Sequence, residues 1–209
     1  AVAALDLIRI VLVEPLYGGN IGSVCRAMAN TGLRQLVLVA PPRLDLDEAR
    51  KMAVAADAIL DARRETATLA DAVADCGLVM GATARRGLYR QHAATPRELA
   101  PKILEAAGSA PVALVFGRED KGLSNEEIAL CTQIIRIPSH PAYLSLNLAQ
   151  AVMICAYELF VAAQIFEPPT EKSPEAPSAL RERLFEAWRH TLLEIGFMEK
   201  AAASADEEV

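Results

Sequence analysis

The sequence predicts an α/β protein with a mostly parallel sheet that is flanked by helices. Two observations lead to this prediction: continuous apolar runs recur along the chain, and segments of helical periodicity separate them. Parallel strands covered on both faces have unbroken apolar runs rather than a polar–apolar alternation. The runs lie at residues 7–13, 35–40, 76–83, 111–117 and 133–138.

The helical segments between these runs imply crossover connections from one strand to the next. They lie at about residues 20–31, 47–55, 66–74, 96–107 and 125–131. The longest predicted helix, residues 145–166, is nearly as apolar on its outer side as on its inner side. Such a helix must be buried on several sides, by the sheet and in addition by a second subunit if the protein is oligomeric.

The domain organisation follows from composition. The chain has 209 residues and is 53% hydrophobic, enough for a substantial core. Residues 1–166 are predicted to form one domain, and residues 167–179 a proline-rich linker. An amphipathic helix and a disordered tail are expected over 180–209, with the helix packed on the main domain or on a partner.

Composition also argues against several classes of protein. No apolar run approaches the roughly 20 residues that span a bilayer, and the first residues do not resemble a signal peptide. We therefore expect a soluble, cytoplasmic protein. The four cysteines are far apart without C-x-x-C spacing, and there are only three histidines, so we expect reduced thiols and no metal.

The charge distribution leaves an anionic ligand possible. The formal net charge is −6, which argues mildly against nucleic-acid binding. Residues 76–97 nevertheless contain no Asp or Glu, and they include Arg85, Arg86 and Arg90. This stretch is either a local basic patch for a phosphate-bearing ligand or a solvated, arginine-rich loop.

The segment "GGNIGSVCRAM", residues 18–28, follows the first predicted strand. Its glycines do not have the G-x-G-x-x-G spacing of a nicotinamide dinucleotide site, and no Gly-Lys-Ser/Thr follows. It presents Asn20 and Arg26, and an arginine beside a glycine-containing loop can hold a phosphate through two hydrogen bonds. The alternative is Asn20 as a helix N-cap and Arg26 as a surface charge.

Two further loops carry polar residues. In "LVFGREDKGLSNEE", residues 114–127, glycines flank Glu119, which suggests a loop around a ligand with one carboxylate turned inward. The "SNEE" part is a helix-capping sequence, which leaves Glu119 unexplained. In "IPSHPAYLSLNLAQAV", residues 137–152, capping explains either Ser145 or Asn147 but not both. All these loops follow the carboxyl ends of predicted parallel strands, where open α/β sheets bind ligands.

Taken together, "NIGSVCRAMANTG", "LVFGREDKGLSNEE" and "IP…SLNLAQAV" resemble the three motifs of the TrmH class of SPOUT methyltransferases, in order. "IRIVLVEP…GNIGSVCRAM", "GATARR" and "PVALVFGRE" are similar to the TrmJ branch. This resemblance implies methyl transfer from S-adenosylmethionine to the ribose 2′-hydroxyl of tRNA nucleotide 32, in the anticodon loop. It also implies a homodimer and a deep carboxyl-terminal trefoil knot, an exception to the rule against knotted chains.

The same resemblance implies roles for individual residues. We expect the glycines of residues 18–28 to let an RNA ribose-phosphate approach Asn20 and Arg26. Arg26 would hold a phosphate and polarise the hydroxyl. The implied catalytic residues are Arg26, Asn20, Glu119, Ser145 and Asn147. The implied S-adenosylmethionine-binding residues are Ala82, Thr83, Ala84, Gly117, Ile137, Leu144, Ser145 and Leu146. Arg85, Arg86 and Arg90 are expected to contact tRNA.

Two alternatives to this function remain open from the sequence. One is a TrmH-class enzyme that methylates another tRNA position or ribosomal RNA, because target choice depends on surfaces outside the three motifs. The other is a non-catalytic RNA-binding dimer of the same fold, which a test of cofactor binding would distinguish.

Overall fold

The computed structural model describes residues 2–85, 93–166 and 175–198. The chain divides into two compact units, Ala1–Glu167 and Pro168–Val209. The first unit contains the sheet and the functional loops, and the described part of the second contains one helix.

The first unit contains a seven-stranded sheet in which every pairing is parallel. The strand order across the sheet is β3-β2-β1-β6-β4-β7-β5. All five predicted strands are confirmed. The two outermost strands, β3 and β5, were not predicted, because β3 consists of the polar residues Arg64–Thr66 and β5 has only two residues. The strands are β1 (Ile8–Val13), β2 (Gln35–Val39), β3 (Arg64–Thr66), β4 (Leu78–Ala82), β5 (Ala93–Ala94), β6 (Val112–Phe116) and β7 (Gln133–Ile135).

The helices of this unit include every one predicted from periodicity, with two short additions, α1 and α4. They are α1 (Val2–Leu5), α2 (Gly18–Asn30), α3 (Leu46–Ala53), α4 (Asp57–Asp61), α5 (Leu69–Val73), α6 (Pro96–Ala106), α7 (Asn125–Ala129) and α8 (Leu148–Ala162). Helix α8 is shorter than predicted because Asn147 caps its start, and Gln164 adopts a φ of 52° beyond its end. Ser145 therefore belongs to a loop.

The core lies on both faces of the sheet. Along β1, Ile10 and Leu12 join the larger cluster, which contains side chains of α2, α6 and α8. Val11 and Val13 point to the opposite face and join a smaller cluster with Leu123. All these side chains are fully buried or nearly so. Burial on both faces is the physical reason for the unbroken apolar pattern of the strands.

Two glycines of α2 have a different role from the one expected. A Cβ at Gly18 would lie 2.1 Å from the backbone oxygen of Asp45, and one at Gly22 would lie 2.0 Å from that of Ala49. Such separations are far below van der Waals contact, so both positions need glycine for α2 to pack against α3. The expectation that these glycines admit RNA is therefore wrong for Gly18 and Gly22. Gly19 is the one that lines an open groove.

Arg9 is the one charged side chain among the described residues that is buried in the sheet. It lies on β1 and forms two hydrogen bonds with the Asp75 carboxylate, at 2.7 and 2.9 Å, and a third with the backbone oxygen of Ala72 at 2.7 Å. The Arg9 side chain is 6% exposed, whereas that of Asp75 is 53% exposed. The guanidinium lowers the pKa of Asp75 from its usual 3.8 to about 2.

We expect Asp75→Asn to destabilise the protein at neutral pH, because Arg9 would lose its charged partner inside the sheet. The loss should be about 1–2 kcal/mol, since half-exposure of Asp75 weakens the pair. A carboxyl whose folded pKa is lowered stabilises the fold above its unfolded pKa. The Asp75 contribution is thus complete above about pH 4 and disappears as the pH falls toward 2.

Urea unfolding at pH 7, 4 and 2.5 measures this contribution. The difference between wild type and Asp75→Asn should shrink as the pH falls. Asp61→Asn is a suitable control, because it removes a surface ion pair with Arg50 in which both partners are about half exposed. A control variant that loses as much stability as Asp75→Asn would contradict the assigned role of burial.

The thiols of Cys25 and Cys155 are free and buried, and burial raises the pKa of each to about 12.

The second unit contains helix α9 (Ser178–Glu194), in which the rings of Phe185 and Trp188 meet edge to face with centroids 6.1 Å apart. Among the helices of the described residues, none combines the length and apolar character needed to cross a membrane.

Candidate active site

The functional loops meet because of the strand order. Strands β1, β6, β4 and β7 are successive neighbours in the sheet, and all are parallel. Their carboxyl ends therefore lie at one edge, followed by the start of α2, the loop of residues 117–124, residues 83–85 and the loop of residues 136–147. This edge is where parallel α/β sheets bind ligands.

Three predicted site residues form one chain of hydrogen bonds, called here the polar relay: Asn147, Asn20 and Glu119. Asn147 Nδ2 donates to Asn20 Oδ1 at 2.9 Å, and Asn20 Nδ2 donates to Glu119 Oε1 at 2.9 Å. The backbone N–H of Leu16 donates to Glu119 Oε2, also at 2.9 Å. The relay thus connects the loops after β1, β6 and β7.

The orientation of both side-chain amides in the polar relay follows from the partners at its two ends. Asn147 is the N-cap of α8, and its Oδ1 accepts from the backbone N–H of Ala149 at 2.9 Å. Its Nδ2 must therefore face Asn20, whose own amide must then turn its Nδ2 to Glu119. The Glu119 carboxylate ends the chain of hydrogen bonds, because it accepts hydrogen bonds and cannot donate them. The alternative interpretation of Asn20 as a helix N-cap is wrong, because Tyr17 is the N-cap of α2 and makes no side-chain cap bond.

Arg118 holds the loop that carries Glu119. Its guanidinium donates to both carboxylate oxygens of Glu14, at 2.8 and 2.7 Å, and to both of Glu127, at 3.2 and 3.0 Å. The two carboxylates raise the pKa of Arg118, and that side chain is only 17% exposed. Hydrogen bonding to Arg118 also lowers the pKa of Glu14. The end of β1 and the start of α7 are thereby tied to the loop.

The loop also turns back on itself. A Cβ at Gly117 would lie 2.2 Å from the backbone carbon of Gly122, and Gly122 itself has a φ of +68°. The N–H of Gly122 donates to the backbone oxygen of Arg118 at 2.8 Å. Glycine at both positions therefore permits a tight loop, and Glu119 lies at its centre.

A cavity of about 540 Å³ opens beside this loop. Every residue that the resemblance assigned to the cofactor lies in its lining: Ala82, Thr83, Ala84, Gly117, Ile137, Leu144, Ser145 and Leu146. They come from the ends of β4, β6 and β7, so the fold gathers segments that are far apart in sequence. Their role toward a cofactor stays a prediction.

The lining has the chemistry that S-adenosylmethionine requires. Ile137, Leu144 and Leu146 give an apolar surface for an adenine ring, and the volume is within the range of small-molecule sites. Glu119 and Asp120 place carboxylates at the same cavity, and Arg85, Arg118 and Lys121 place cations there. The lining therefore offers partners both for the positive sulfonium and ammonium groups and for the carboxylate of the ligand. The residues present therefore fit this group.

Arg85, predicted to contact RNA, lies at the edge of the same cavity. Its Nη2 donates to the backbone oxygen of Lys121, and its own backbone oxygen accepts from Arg136 Nη2 at 2.8 Å. Arg85 is exposed, but these bonds also connect the loops on either side of the cavity. The other two predicted RNA contacts, Arg86 and Arg90, lie outside the described residues.

A second, wider groove of about 890 Å³ adjoins the cavity. Glu119, Ser145, Leu146 and Leu148 line both spaces. Asn20 and Asn147 line the groove only, so the polar relay runs along the groove and reaches the cavity at Glu119.

Arg26 is the one proposed catalytic residue that lines neither space. It is exposed on α2, three residues after Ser23, which does line the groove. Residues three apart on a helix are neighbours, so Arg26 lies just beyond the groove.

Several residues of this region were not predicted from the sequence. Glu14 and Arg118 could have been noticed, because each is a charged residue directly after an apolar strand. Tyr17, Glu48 and Tyr143 also line the groove, and no motif or spacing distinguishes them.

Comparison with known proteins agrees with this geometry. The profile of the SpoU rRNA Methylase family matches residues 7–157. A tRNA (cytidine/uridine-2′-O-)-methyltransferase TrmJ of Pectobacterium atrosepticum is 41% identical over 201 residues, which are 94% of this chain and 83% of that protein. A tRNA (cytidine/uridine/adenosine-2′-O-)-methyltransferase TrmJ of Pseudomonas aeruginosa is 42% identical over 208 residues, covering 93% and 80%.

Among solved structures, a probable methylase family protein from Haemophilus influenzae Rd KW20 superposes with a TM-score of 0.73. Its sequence identity is 36%, and the match covers 94% of this chain and 83% of that one. The similarity thus extends over the sheet and all the loops that form the cavity and the groove.

Proposed function

Since the chain belongs to the SpoU rRNA methylase family, we propose that it transfers the methyl group of S-adenosylmethionine to a ribose 2′-hydroxyl of tRNA. One observation carries this proposal above all. The cavity that contains all eight predicted cofactor residues shares Glu119 and Ser145 with a groove wide enough for a nucleotide. A methyl donor in the cavity and a ribose in the groove would therefore meet at these residues.

The residues at this boundary can assist an in-line displacement. S-adenosylmethionine, when bound, supplies an electrophilic methyl carbon. Glu119 and Asn20 hold each other in a fixed orientation, and Asn147 fixes Asn20 in turn, so the groove is preorganised before RNA arrives. Ser145 lies at both spaces and can donate to or accept from the ribose hydroxyl. Closely packed loops here would exclude water from the reacting atoms.

Arg26 is proposed to bind a phosphate of the target RNA and to stabilise charge that develops on the hydroxyl oxygen. Its exposed place beyond the groove suits contact with the RNA backbone. A role as general base is disfavoured, because an arginine side chain stays protonated in proteins.

The target position proposed is nucleotide 32 of the anticodon loop, on the strength of the TrmJ-like motifs. Methylation at another tRNA position or in ribosomal RNA is the second candidate, and the family's name favours ribosomal RNA. The activity would take place in the cytoplasm, where tRNA and S-adenosylmethionine are both present.

The first experiment is methyl transfer from radiolabelled S-adenosylmethionine to bulk tRNA and to ribosomal RNA, followed by nucleoside mapping. Label in a 2′-O-methylated nucleoside at position 32 is the expected result. Label at another position, or in ribosomal RNA only, would show that nucleotide 32 is not the target but would still support an RNA 2′-O-methyltransferase. Cofactor binding without transfer to either RNA would favour a non-catalytic RNA-binding protein.

We expect Arg26→Lys to lower kcat/KM for tRNA by roughly ten- to a hundredfold, because lysine cannot form the paired hydrogen bonds of a guanidinium. The affinity for S-adenosylmethionine should not change, since Arg26 does not line the cavity. Arg34→Lys is the matched control, because Arg34 is exposed shortly after the same helix. Turnover of Arg26→Lys close to that of wild type would reject the phosphate role.

The protein is also proposed to form a homodimer through α8. Tyr157 and Val161 lie four residues apart on one side of this helix, and their side chains are 52% and 50% exposed. The helix is strongly apolar, so this exposed side is suited to contact with a second subunit. Tyr157→Glu should therefore shift the mass measured by light scattering from dimer to monomer. Leu130→Glu, at an apolar side chain that is 46% exposed elsewhere, should leave the mass unchanged. A monomeric wild type would refute the proposal.

A further inference from the structure

The groove beside the polar relay contains an acidic side chain that neither capping nor an ion pair explains within residues 2–85, 93–166 and 175–198. Glu48 lines the groove from α3, and Ser145 lines it from the loop before α8. Within the described part of the chain, no side chain or backbone group donates a hydrogen bond to its carboxylate. An anionic group facing a site for RNA calls for a specific reason, because it repels phosphate.

The position of Glu48 in its helix makes its orientation informative. It is the third residue of α3, after the N-cap Asp45. Glutamates at the same position of α6 and α7, Glu98 and Glu127, turn back and accept a hydrogen bond from the N-cap backbone. The Glu48 carboxylate does not form this bond. Instead, its Oε1 lies 2.9 Å from the place that a Cβ of Gly19 would occupy.

The same groove offers surfaces on which a base can stack. Tyr17 and Tyr143 line it and are 59% and 79% exposed. Exposed aromatic rings of this kind bind unpaired bases of single-stranded RNA loops by stacking. The groove therefore combines stacking surfaces, one unpaired acceptor group and a shared boundary with the cavity.

We propose that this groove receives the base of the acceptor nucleotide and that Glu48 accepts a hydrogen bond from its exocyclic amino group. This inference rests on the proposed function and adds a base preference to it. The amino groups of cytosine and adenine are donors, whereas uracil presents an oxygen at the corresponding position. A carboxylate attracts the amino groups of cytosine and adenine and repels the oxygen of uracil. The protein therefore prefers cytidine to uridine at its target.

The test uses two stem-loop RNAs that differ only in having cytidine or uridine at the mapped target position. For wild type, kcat/KM should favour cytidine by about tenfold, the effect of one good contact to a base edge. Glu48→Gln should bring the ratio close to one, because an amide can donate to the uracil oxygen as well as accept. Glu48 is exposed, so the variant is expected to fold.

Asp47→Asn is the matched control, since Asp47 is the preceding exposed acidic residue of α3 and does not line the groove. It should keep the wild-type ratio. Equal rates on both RNAs by wild type, or an unchanged ratio in Glu48→Gln, would overturn the inference and leave the proposed function intact. Transfer to neither RNA by wild type would overturn both.

Discussion

Gly22→Ala is expected to destabilise the protein by about 3 kcal/mol, the upper end for overpacking, or to prevent folding. The new methyl carbon would lie 2.0 Å from the backbone oxygen of Ala49 and 2.9 Å from the backbone nitrogen of Ala53. Backbone atoms of a packed helix cannot move aside as a flexible side chain can. Helix α2 would have to separate from α3, which opens the larger core cluster.

Urea unfolding followed by circular dichroism measures this effect, and Gly19→Ala in the same helix is the matched control. The Cβ at residue 19 meets only the flexible carboxylate of Glu48, so it should cost little stability. Alanine also has a higher helix propensity than glycine, by about 1 kcal/mol. A Gly22→Ala protein with wild-type stability and reduced RNA affinity would instead support the expectation that Gly22 lets RNA approach.

Glu119→Gln is expected to lower kcat for methyl transfer by about a hundredfold, because a small misplacement of reacting groups has effects of that size. The Glu119 carboxylate accepts from two donors, Asn20 Nδ2 and the N–H of Leu16. A glutamine would turn its own NH₂ toward one of them. Asn20 cannot rotate its amide to compensate, because Asn147 donates to its Oδ1 and is itself fixed as a helix cap.

Single-turnover rates with saturating cofactor and RNA measure the effect on chemistry, and calorimetry measures S-adenosylmethionine affinity separately. The control is Glu126→Gln, an exposed carboxylate just beyond the same loop that has no part in the polar relay. A Glu119→Gln protein as active as this control would show that the relay does not position the reacting groups.

Local sequence patterns determined the fold class and drew attention to the polar residues of the three loops, whereas the predicted cofactor residues came from the family resemblance. Apolar runs and helical periodicity record which side chains are buried, so they gave five of the seven strands of the described sheet and most of the helices. The motifs around Asn20, Glu119 and Asn147 were visible because each puts polar groups in the segment that follows a buried strand. A strand of two residues such as β5 has too few side chains to form a pattern.

Only the tertiary structure decided how these residues meet. Asn20 lies 99 residues from Glu119 and 127 residues from Asn147 in the chain, and their hydrogen bonds depend on the order of strands in the sheet. Nothing in a local pattern specifies that order. The structure likewise assigned Gly18 and Gly22 to helix packing and turned Glu48 toward the groove, because steric contact and orientation depend on neighbours from other segments. Sequence periodicity records burial, whereas a site is a set of distances between separate segments.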